Sequence, residues 1–439
     1  VGCLDAITST VVCGGLLPEL KEHGFRVLSL IHELPGVIHS MKQEENAQRI
    51  AELADKIVFP ALLVRDQYAT IAPAAIEKAI IRPQGLLRKN PYQGKRQEAH
   101  REVCHRHDFP FASRFVFSVG YLDQRKGADL FVEIAAQVCH HLRDVIFIWV
   151  GHADQELECK VRERIEELGL SARILLVGFD PEPFMYYAAA SVYALTSRED
   201  PFPNVVLESA SVGVPVVAFE GTTGAAELII QQGGRLARHL DIADFAAQIE
   251  ELFVHQAAAS PVHLSSDFSL QHYVLDLQHY LNGMPRVSVI VPSYNYARLI
   301  EARLDSIRVQ TFPVYEIIVL DDASTDDSVA YIKNYCGQKD FDATIYVNEC
   351  NSGSVFRQWV KGLHLATGDL IWIAEADDIA DRNFLATLVP AFNEKGVVLA
   401  FCQSRQLDEK GRIIANDYLA YTKEISERWR KYYFGDGRD

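Results

Sequence analysis

The feature that most constrains the fold is a rhythm: short, β-branched apolar runs alternate with longer stretches whose apolar residues recur at helical spacing. Strands joined through segments of that length pair in parallel, because a parallel pair needs a long crossover where an antiparallel pair needs only a tight turn. The spacing predicts strands at Phe115–Val119, Val145–Val150, Arg173–Val177, Val192–Thr196 and Pro215–Phe219. After a break it predicts a second series at Val287–Val291, Tyr315–Leu320, Ala343–Val347, Leu370–Ala374 and Val397–Cys402. Between the first two strands, Ala128–His140 sets Leu130, Phe131, Ile134 and Val138 on one helical face, which reads as ordinary core packing. The fold class is therefore α/β with parallel sheets.

A chain of 439 residues is too long for one ordinary core, so two or three domains are expected. The rhythm fails over Val262–Pro285, which ends in the breaker cluster Asn282-Gly283-Met284-Pro285, and a boundary is placed near 283–286. An earlier one is placed near 90–112, where Lys89-Asn90-Pro91, a charged stretch and Phe109-Pro110 suggest a linker. The resulting division is 1–110, 111–262, a returning helix or linker at 263–285, and 286–439. The opening at Val1 rather than Met and the polar end Gly435-Asp436-Gly437-Arg438-Asp439 suggest a piece of a longer protein.

The formal charge of −16 argues against nonspecific nucleic-acid binding, which needs a basic footprint. The eight cysteines form no Cys-x-x-Cys pair, so neither a zinc site nor a redox motif is suggested, and free thiols in a reducing cytosol are expected. No apolar run reaches the roughly 18 residues of a membrane span, and no signal peptide is visible.

Two strings in the middle region carry chemistry. The first strand ends in Gly120 and runs through Asp123-Gln124-Arg125-Lys126-Gly127 into a helix. A diphosphate at such a helix start gains free N–H groups, the helix dipole and the lysine charge. The alternative is an exposed loop lysine. Neither the P-loop spacing nor Gly-x-Gly-x-x-Gly is present, which weakens a nicotinamide dehydrogenase reading. The second string, Ser197-Arg198-Glu199-Asp200-Pro201-Phe202-Pro203-Asn204-Val205-Val206-Leu207-Glu208, follows a strand and opens a helix, with Asn204–Glu208 as its first turn. An acidic turn complementing the helix dipole explains one acid but not the whole string.

On these words, with Leu176-Val177-Gly178-Phe179, residues 112–240 resemble the nucleotide-binding half of family 4 glycosyltransferases of the GT-B fold. The resemblance implies a nucleotide-sugar donor held by Gly120, Arg125, Lys126, Asn204 and Glu208, with Glu208 on the ribose. It also implies two acids with seven residues between them. Asp200 and Glu208 have that separation, and Glu199 is one residue further off, so the first acid is Asp200, or Glu199 with a one-residue shift. Tyr121 stands where the family tends to have Arg, leaving the diphosphate to Lys126 and Arg125. Residues 1–90 look like the tail of the acceptor-side half. There Ile31-His32-Glu33-Leu34-Pro35 follows a strand, Ala54–Pro60 reads as another, and His32 is expected toward the sugar, against the alternative of a surface or capping histidine. This half is short, so it is expected to lack its beginning. No metal or other cofactor is expected in this part.

In the last region three strands end in polar strings: Pro292-Ser293-Tyr294-Asn295, Asp321-Asp322-Ala323-Ser324-Thr325-Asp326-Asp327 and Glu375-Ala376-Asp377-Asp378. Open α/β sheets bind ligands at that edge. A departing nucleoside diphosphate develops negative charge, which a hard divalent cation held by one or two carboxylates would stabilise. Helix capping accounts for Ser324, through Ser324-x-x-Asp327, and for Asp381 ahead of a helix near Arg382–Phe392. It does not account for Asp321, Asp322, Asp377 and Asp378.

With Asn351-Ser352-Gly353-Ser354 and Thr367-Gly368-Asp369, these strings resemble the donor-binding half of a family 2 glycosyltransferase of the GT-A fold, across 286–439. The resemblance implies donor contacts from Pro292, Tyr294, Asn295, Asp321, Asp322 and Asp377. Asp322 or Asp321 would contact the base, and Asp377 would sit near ribose or metal. Asp378, with Asp377 and Glu375, would hold Mn²⁺ or Mg²⁺. Glu375 stands where the family more often has Asp. The family's catalytic base comes later in the chain and none is named.

The expected architecture is thus two Rossmann-like parts of a GT-B glycosyltransferase, the first incomplete, followed by an incomplete GT-A domain. The expected activity is sugar transfer from nucleotide-diphosphate sugars to a glycan or lipid-linked glycan in surface polysaccharide synthesis, in the cytoplasm. Peripheral contact with the inner face of the membrane is left open. The alternative is a sugar-nucleotide-binding or scaffold protein with one dead domain.

Overall fold

The computed structural model describes residues 4–153, 155–255, 268–339, 341–408 and 412–417. The two chain ends, Cys3 and the start of the expected 263–285 segment lie outside these. The chain divides into two compact units, Val1–Arg286 and Val287–Asp439.

The first unit holds two parallel sheets. One contains β1 (Asp5–Ser9), β2 (Arg26–Leu30), β3 (Lys56–Phe59) and β4 (Ala79–Ile81), in that order. The other contains β5 (Arg114–Val119), β6 (Val145–Val150), β7 (Ile174–Gly178), β8 (Val192–Leu195), β9 (Val216–Phe219) and β10 (Arg235–Ala237). Its spatial order is β10-β9-β8-β5-β6-β7, so the direction of winding reverses between β5 and β8. β6 and β8 are buried along their entire lengths, as strands covered on both faces by crossover helices must be. Leu130, Phe131, Ile134 and Val138 of the helix Ala128–His141 all lie in the core, with Phe131 edge-on to Phe147 and Trp149.

The expected linker near 90–112 instead contains a helix, Arg96–His107. Its charges sit on the outer face, while Ala99, Val103 and Cys104 are buried. It packs on the second sheet through His100 against Phe115, and Arg96 donates to Ala190 O, at the end of the helix Phe184–Ala189, at 3.1 Å. A charged composition thus hid a narrow apolar stripe.

The helix Leu270–Asn282 returns to the first sheet, where Tyr273 and Leu277 pack with Leu28, Leu30 and Val58. Its Asp276, 3% exposed, accepts from Arg82 Nε at 2.6 Å and lies 3.3 Å from Arg286 Nη1.

The second unit is built on β11 (Val287–Ser293), β12 (Glu316–Asp321), β13 (Thr344–Val347) and β14 (Leu370–Ile373), all parallel, in the order β13-β12-β11-β14. Winding reverses between β11 and β14. Val397–Cys402, expected as a further strand, forms none: Val398 and Leu399 are 89% and 73% exposed, and an apolar run becomes a strand only where a ladder partner takes its backbone groups. A short antiparallel pair, Gln406–Leu407 with Ile413–Ala415, follows. The helix expected near Arg382–Phe392 runs from Phe384 to Leu388 and continues as a 3₁₀ turn at Val389–Asn393, where Pro390 has no N–H to donate.

Removing one partner of a buried ion pair strands the other charge. Asp276→Ala is expected to cost the first unit about 3–5 kcal/mol, read as a lower urea midpoint. Hydrogen exchange of β11–β14 should stay unchanged.

Candidate functional site

Two sets of loops at the carboxyl edges of the sheets gather the candidate residues. In the first unit the loops leaving β5 and β8 meet where the winding reverses. Arg198 N donates to Arg125 O at 2.8 Å, Thr196 Oγ1 to Lys126 O at 3.0 Å, and Arg125 Nη1 to Glu199 O at 3.0 Å. Arg125 therefore fastens the two loops together. Gly127 begins the helix at φ 74°, and a Cβ there would lie 2.1 Å from Thr196 O, so only glycine lets the loops approach this closely.

Lys126 Nζ pairs with Asp200 Oδ2 at 2.5 Å in a largely buried contact, and Ser197 Oγ donates to the same oxygen at 3.2 Å. Gly120 flanks the lysine stem. Asn204 opens the helix Asn204–Ser211 and is exposed. Glu208 is half-buried one turn further on. Burial pushes its carboxyl above the usual range, a shift that the Tyr187 hydroxyl beside it opposes.

Glu199 is directed elsewhere. Its Oε1 accepts from Gly36 N at 3.1 Å, so the turn after β2 reaches the loop after β8. That turn carries His32, whose Nδ1 lies 2.8 Å from Gln84 Nε2. An amide nitrogen can only donate, so with this amide orientation Nδ1 accepts and the imidazole proton sits on Nε2. Burial lowers the His32 pKa, opposed by Glu33, which favours the neutral ring near pH 7. The structure thus brings the His32–Gly36 turn to Glu199, and Lys126 to Asp200.

In the second unit, Ser293 pairs with Asp321 in the strand register, so the loops leaving β11 and β12 lie side by side. Asn295, at φ 60°, accepts through Oδ1 from Thr325 N at 2.7 Å, and its own N–H donates to Ser324 Oγ at 2.9 Å. Pro292 is buried and Tyr294 is exposed. Asp321, fully buried, accepts from Ser324 N and Oγ. Ser324 therefore braces the site rather than capping a helix. The start of the helix Ser328–Lys339 is fixed by Asp326, which accepts from Ser328 N at 3.0 Å. Asp381 does accept from Asn383 N at 2.8 Å, just ahead of the helix at Phe384.

Asp322 accepts from Asn348 Nδ2, Ser352 N, Ser352 Oγ and Gln358 Nε2, all between 2.7 and 2.9 Å. Burial alone would raise its pKa. The bonds from Ser352 and Asn348 and the charge of Lys361 outweigh that and hold it below the usual range. Thr367 lies at the opposite edge, where its N–H donates to Glu316 at the start of β12.

The Glu375–Asp378 loop leaves β14 across the second reversal. Tyr296 OH donates to Asp377 Oδ2 at 3.2 Å and bridges it. Glu375 accepts from Trp359 Nε1 at 2.7 Å, and its pKa is raised by burial and by Asp377 and Asp378. The Asp378 side chain is 75% exposed. Among the described residues no three His, Cys, Asp or Glu side chains gather as a metal cage. One or two hard carboxylates at an open edge still fit a Mg²⁺-like ion that takes its other ligands from phosphate and water.

Sequence reasoning did not find Gly36, Gln84, Tyr296, Asn348, Gln358, Trp359 or Arg303. Of the residues that hold Asp322, only Ser352 stood in a recognised string.

Residues 113–255 match the family model described as Glycosyl transferases group 1, and residues 288–437 match Glycosyl transferase family 2. A Campylobacter jejuni relative is 32% identical over 28% of this chain and 32% of its own length. It is named N-acetylgalactosamine-N,N'-diacetylbacillosaminyl-diphospho-undecaprenol 4-alpha-N-acetylgalactosaminyltransferase. A second from the same organism, GalNAc(5)-diNAcBac-PP-undecaprenol beta-1,3-glucosyltransferase, is 37% identical over 25% of this chain and 36% of its own length. The chain thus spans about a third of each. The crystal structure of Anabaena Alr3699/HepE in complex with UDP and glucose superposes with a TM-score of 0.53 at 19% identity, covering 62% of this chain and 77% of that one.

The raised Glu208 pKa sets a sign for stability. The folded protein holds that proton more tightly than the unfolded chain, where Glu titrates near ~4.3. This contribution is present below the unfolded pKa and is lost as pH rises through the folded one. Glu208→Gln is therefore expected to melt above the wild type at neutral pH, with the gap closing toward about pH 4 in a calorimetric pH series.

Proposed function

The chain belongs to the glycosyltransferases, joining a group 1 region at 113–255 to a family 2 region at 288–437, and from that premise we propose that it transfers sugars at two independent sites in the synthesis of a surface glycan. The observation that carries this is the placement of the charged strings at both reversals of strand order, where parallel sheets open a ligand crevice.

At the first site Lys126 meets the donor diphosphate, with the start of the helix Ala128–His141 beside it, and Glu208 takes the ribose hydroxyls. The diphosphate competes with Asp200 for the lysine, so donor binding frees an acid next to the sugar. His32, neutral and with its proton on Nε2, supplies a donor from the acceptor-side half. This site uses no metal, and the resemblance to family 4 implies retention of configuration.

At the second site Asp322 and its four donors form a rigid floor for the base, and Asp377 lies at the ribose end of the crevice. Asp378 and Asp377 are the residues that would hold Mn²⁺ or Mg²⁺, which when bound neutralises charge on the departing diphosphate. Positioning and preorganised charge supply most of the rate, and the resemblance to family 2 implies inversion.

The two Campylobacter relatives are named for undecaprenyl-diphosphate glycans. We extend a lipid-linked glycan acceptor, and hexose-type donors, to this chain. Among the described residues no helix is long and apolar enough to cross a membrane. The reading places the enzyme in the cytoplasm, meeting its acceptor at the membrane face.

A second reading, one active and one nucleotide-binding but inert site, is favoured by Tyr121 in the place of an arginine and by the Lys126–Asp200 pair. Turnover decides between them. With a panel of labelled nucleotide sugars and lipid-linked acceptor, two products are expected. Asp378→Ala should remove one of them by about a hundredfold or more, and Lys126→Ala the other. A single product, lost only in Asp378→Ala, would establish the second reading.

A further inference from the structure

Behind the acidic loop of the second unit sits a cation that no sequence string announced. Arg303, on the helix Ile300–Arg308, is only 3% exposed. Its Nε donates to Glu375 O at 2.7 Å, and its guanidinium lies over Trp372 at 5.6 Å from the ring centre. Asp378 Oδ2 is 4.0 Å from Nη2, beyond hydrogen-bonding distance. A guanidinium stays charged in a protein, and burying one without a close carboxylate is costly. Three acids act on it, Glu375, Asp377 and Asp378, and its charge acts in turn on the Glu375 carboxyl.

We propose that Arg303 is a positioning residue that serves as the resident counter-cation of the Glu375–Asp378 loop, holding it in its nucleotide-receiving shape and offsetting its charge before any divalent cation binds. This rests on the donor-site reading of the second unit. The guanidinium bonds the loop backbone from behind at Glu375 O, leaving the outer face of Asp378 open. Two effects follow. A diphosphate approaching the metal-free loop meets three carboxylates already partly offset. A divalent cation adds less to nucleotide affinity than it would over a bare acidic loop.

The test is calorimetric titration of the full chain with UDP, GDP and dTDP, at zero and at saturating Mn²⁺. It uses a Glu208→Ala background so that only the second site reports. Arg303→Met removes the charge at similar volume, and Arg303→Lys keeps it. In Arg303→Met, metal-free affinity is expected to fall about tenfold, the scale of one charge acting through a partly screened interior. Affinity at saturating Mn²⁺ should change by less than about threefold, and Arg303→Lys should restore most of the metal-free loss. An equal loss with and without Mn²⁺, unrescued by Lys, would mean that Arg303 only braces the fold and would overturn the inference. No change under either condition would overturn it as well. Absence of nucleotide binding with Arg303 intact, both in this background and in the wild-type chain, would instead remove the donor-site reading, and the inference with it.

Discussion

Both candidate sites of this molecule depend on a topological constraint. Where two neighbouring parallel strands send their crossovers to opposite faces, the loops leaving their carboxyl ends part and open a crevice. The sheet with order β10-β9-β8-β5-β6-β7 has one such point, between β5 and β8, and the sheet with order β13-β12-β11-β14 has another, between β11 and β14. Each is spanned by a side-chain contact to an acid, Lys126 to Asp200 in one and Tyr296 to Asp377 in the other. Each contact holds a group that the proposed function assigns to the donor.

The two sites spend their buried polar groups differently. In the first, the loops are tied through backbone carbonyls, with Arg125 on Glu199 O and Thr196 on Lys126 O, so the carboxylates of Asp200 and Glu199 remain available to partners. Asp200 takes the lysine and Glu199 takes Gly36 N from the turn after β2. Each of those contacts is a single hydrogen bond or ion pair between distant stretches of chain, which a ligand carrying its own charges and hydroxyls would be able to replace. In the second, Asp321 and Asp322 are committed to Ser324, Ser352, Asn348 and Gln358. Satisfied buried networks of this kind rigidify what they hold. The adaptable acids are those of the Glu375–Asp378 loop, set against Arg303.

The sequence made the sheets legible because parallel strands buried on both faces must be almost continuously apolar, and runs such as Val145–Val150 and Ile317–Leu320 are. It made the charged strings legible because each directly follows such a strand. What it hid was long-range. Nothing near Glu199 indicates that its partner is Gly36, and nothing near Asp322 points to Gln358, since both contacts depend on which loops the topology makes neighbours. Ser324 carried a capping pattern that its own strand end overrode, because Asp321 lay three residues away with a buried carboxylate to satisfy. Val397–Cys402 had the composition of a strand but no ladder to join. Arg303 stood in no string that the sequence singled out, and its burial comes from long-range packing against Trp372 and the backbone of Glu375.

The central claim is that one chain carries two separate nucleoside-diphosphate sites, one independent of metal and one dependent on it. The most direct measurement is the stoichiometry of nucleotide binding to the wild-type chain by equilibrium dialysis, first with Mn²⁺ and then after chelation. With the cognate nucleotide of each site present, the account predicts two bound nucleotides per chain with Mn²⁺ and one that persists after chelation. A stoichiometry of one or none under both conditions would contradict it.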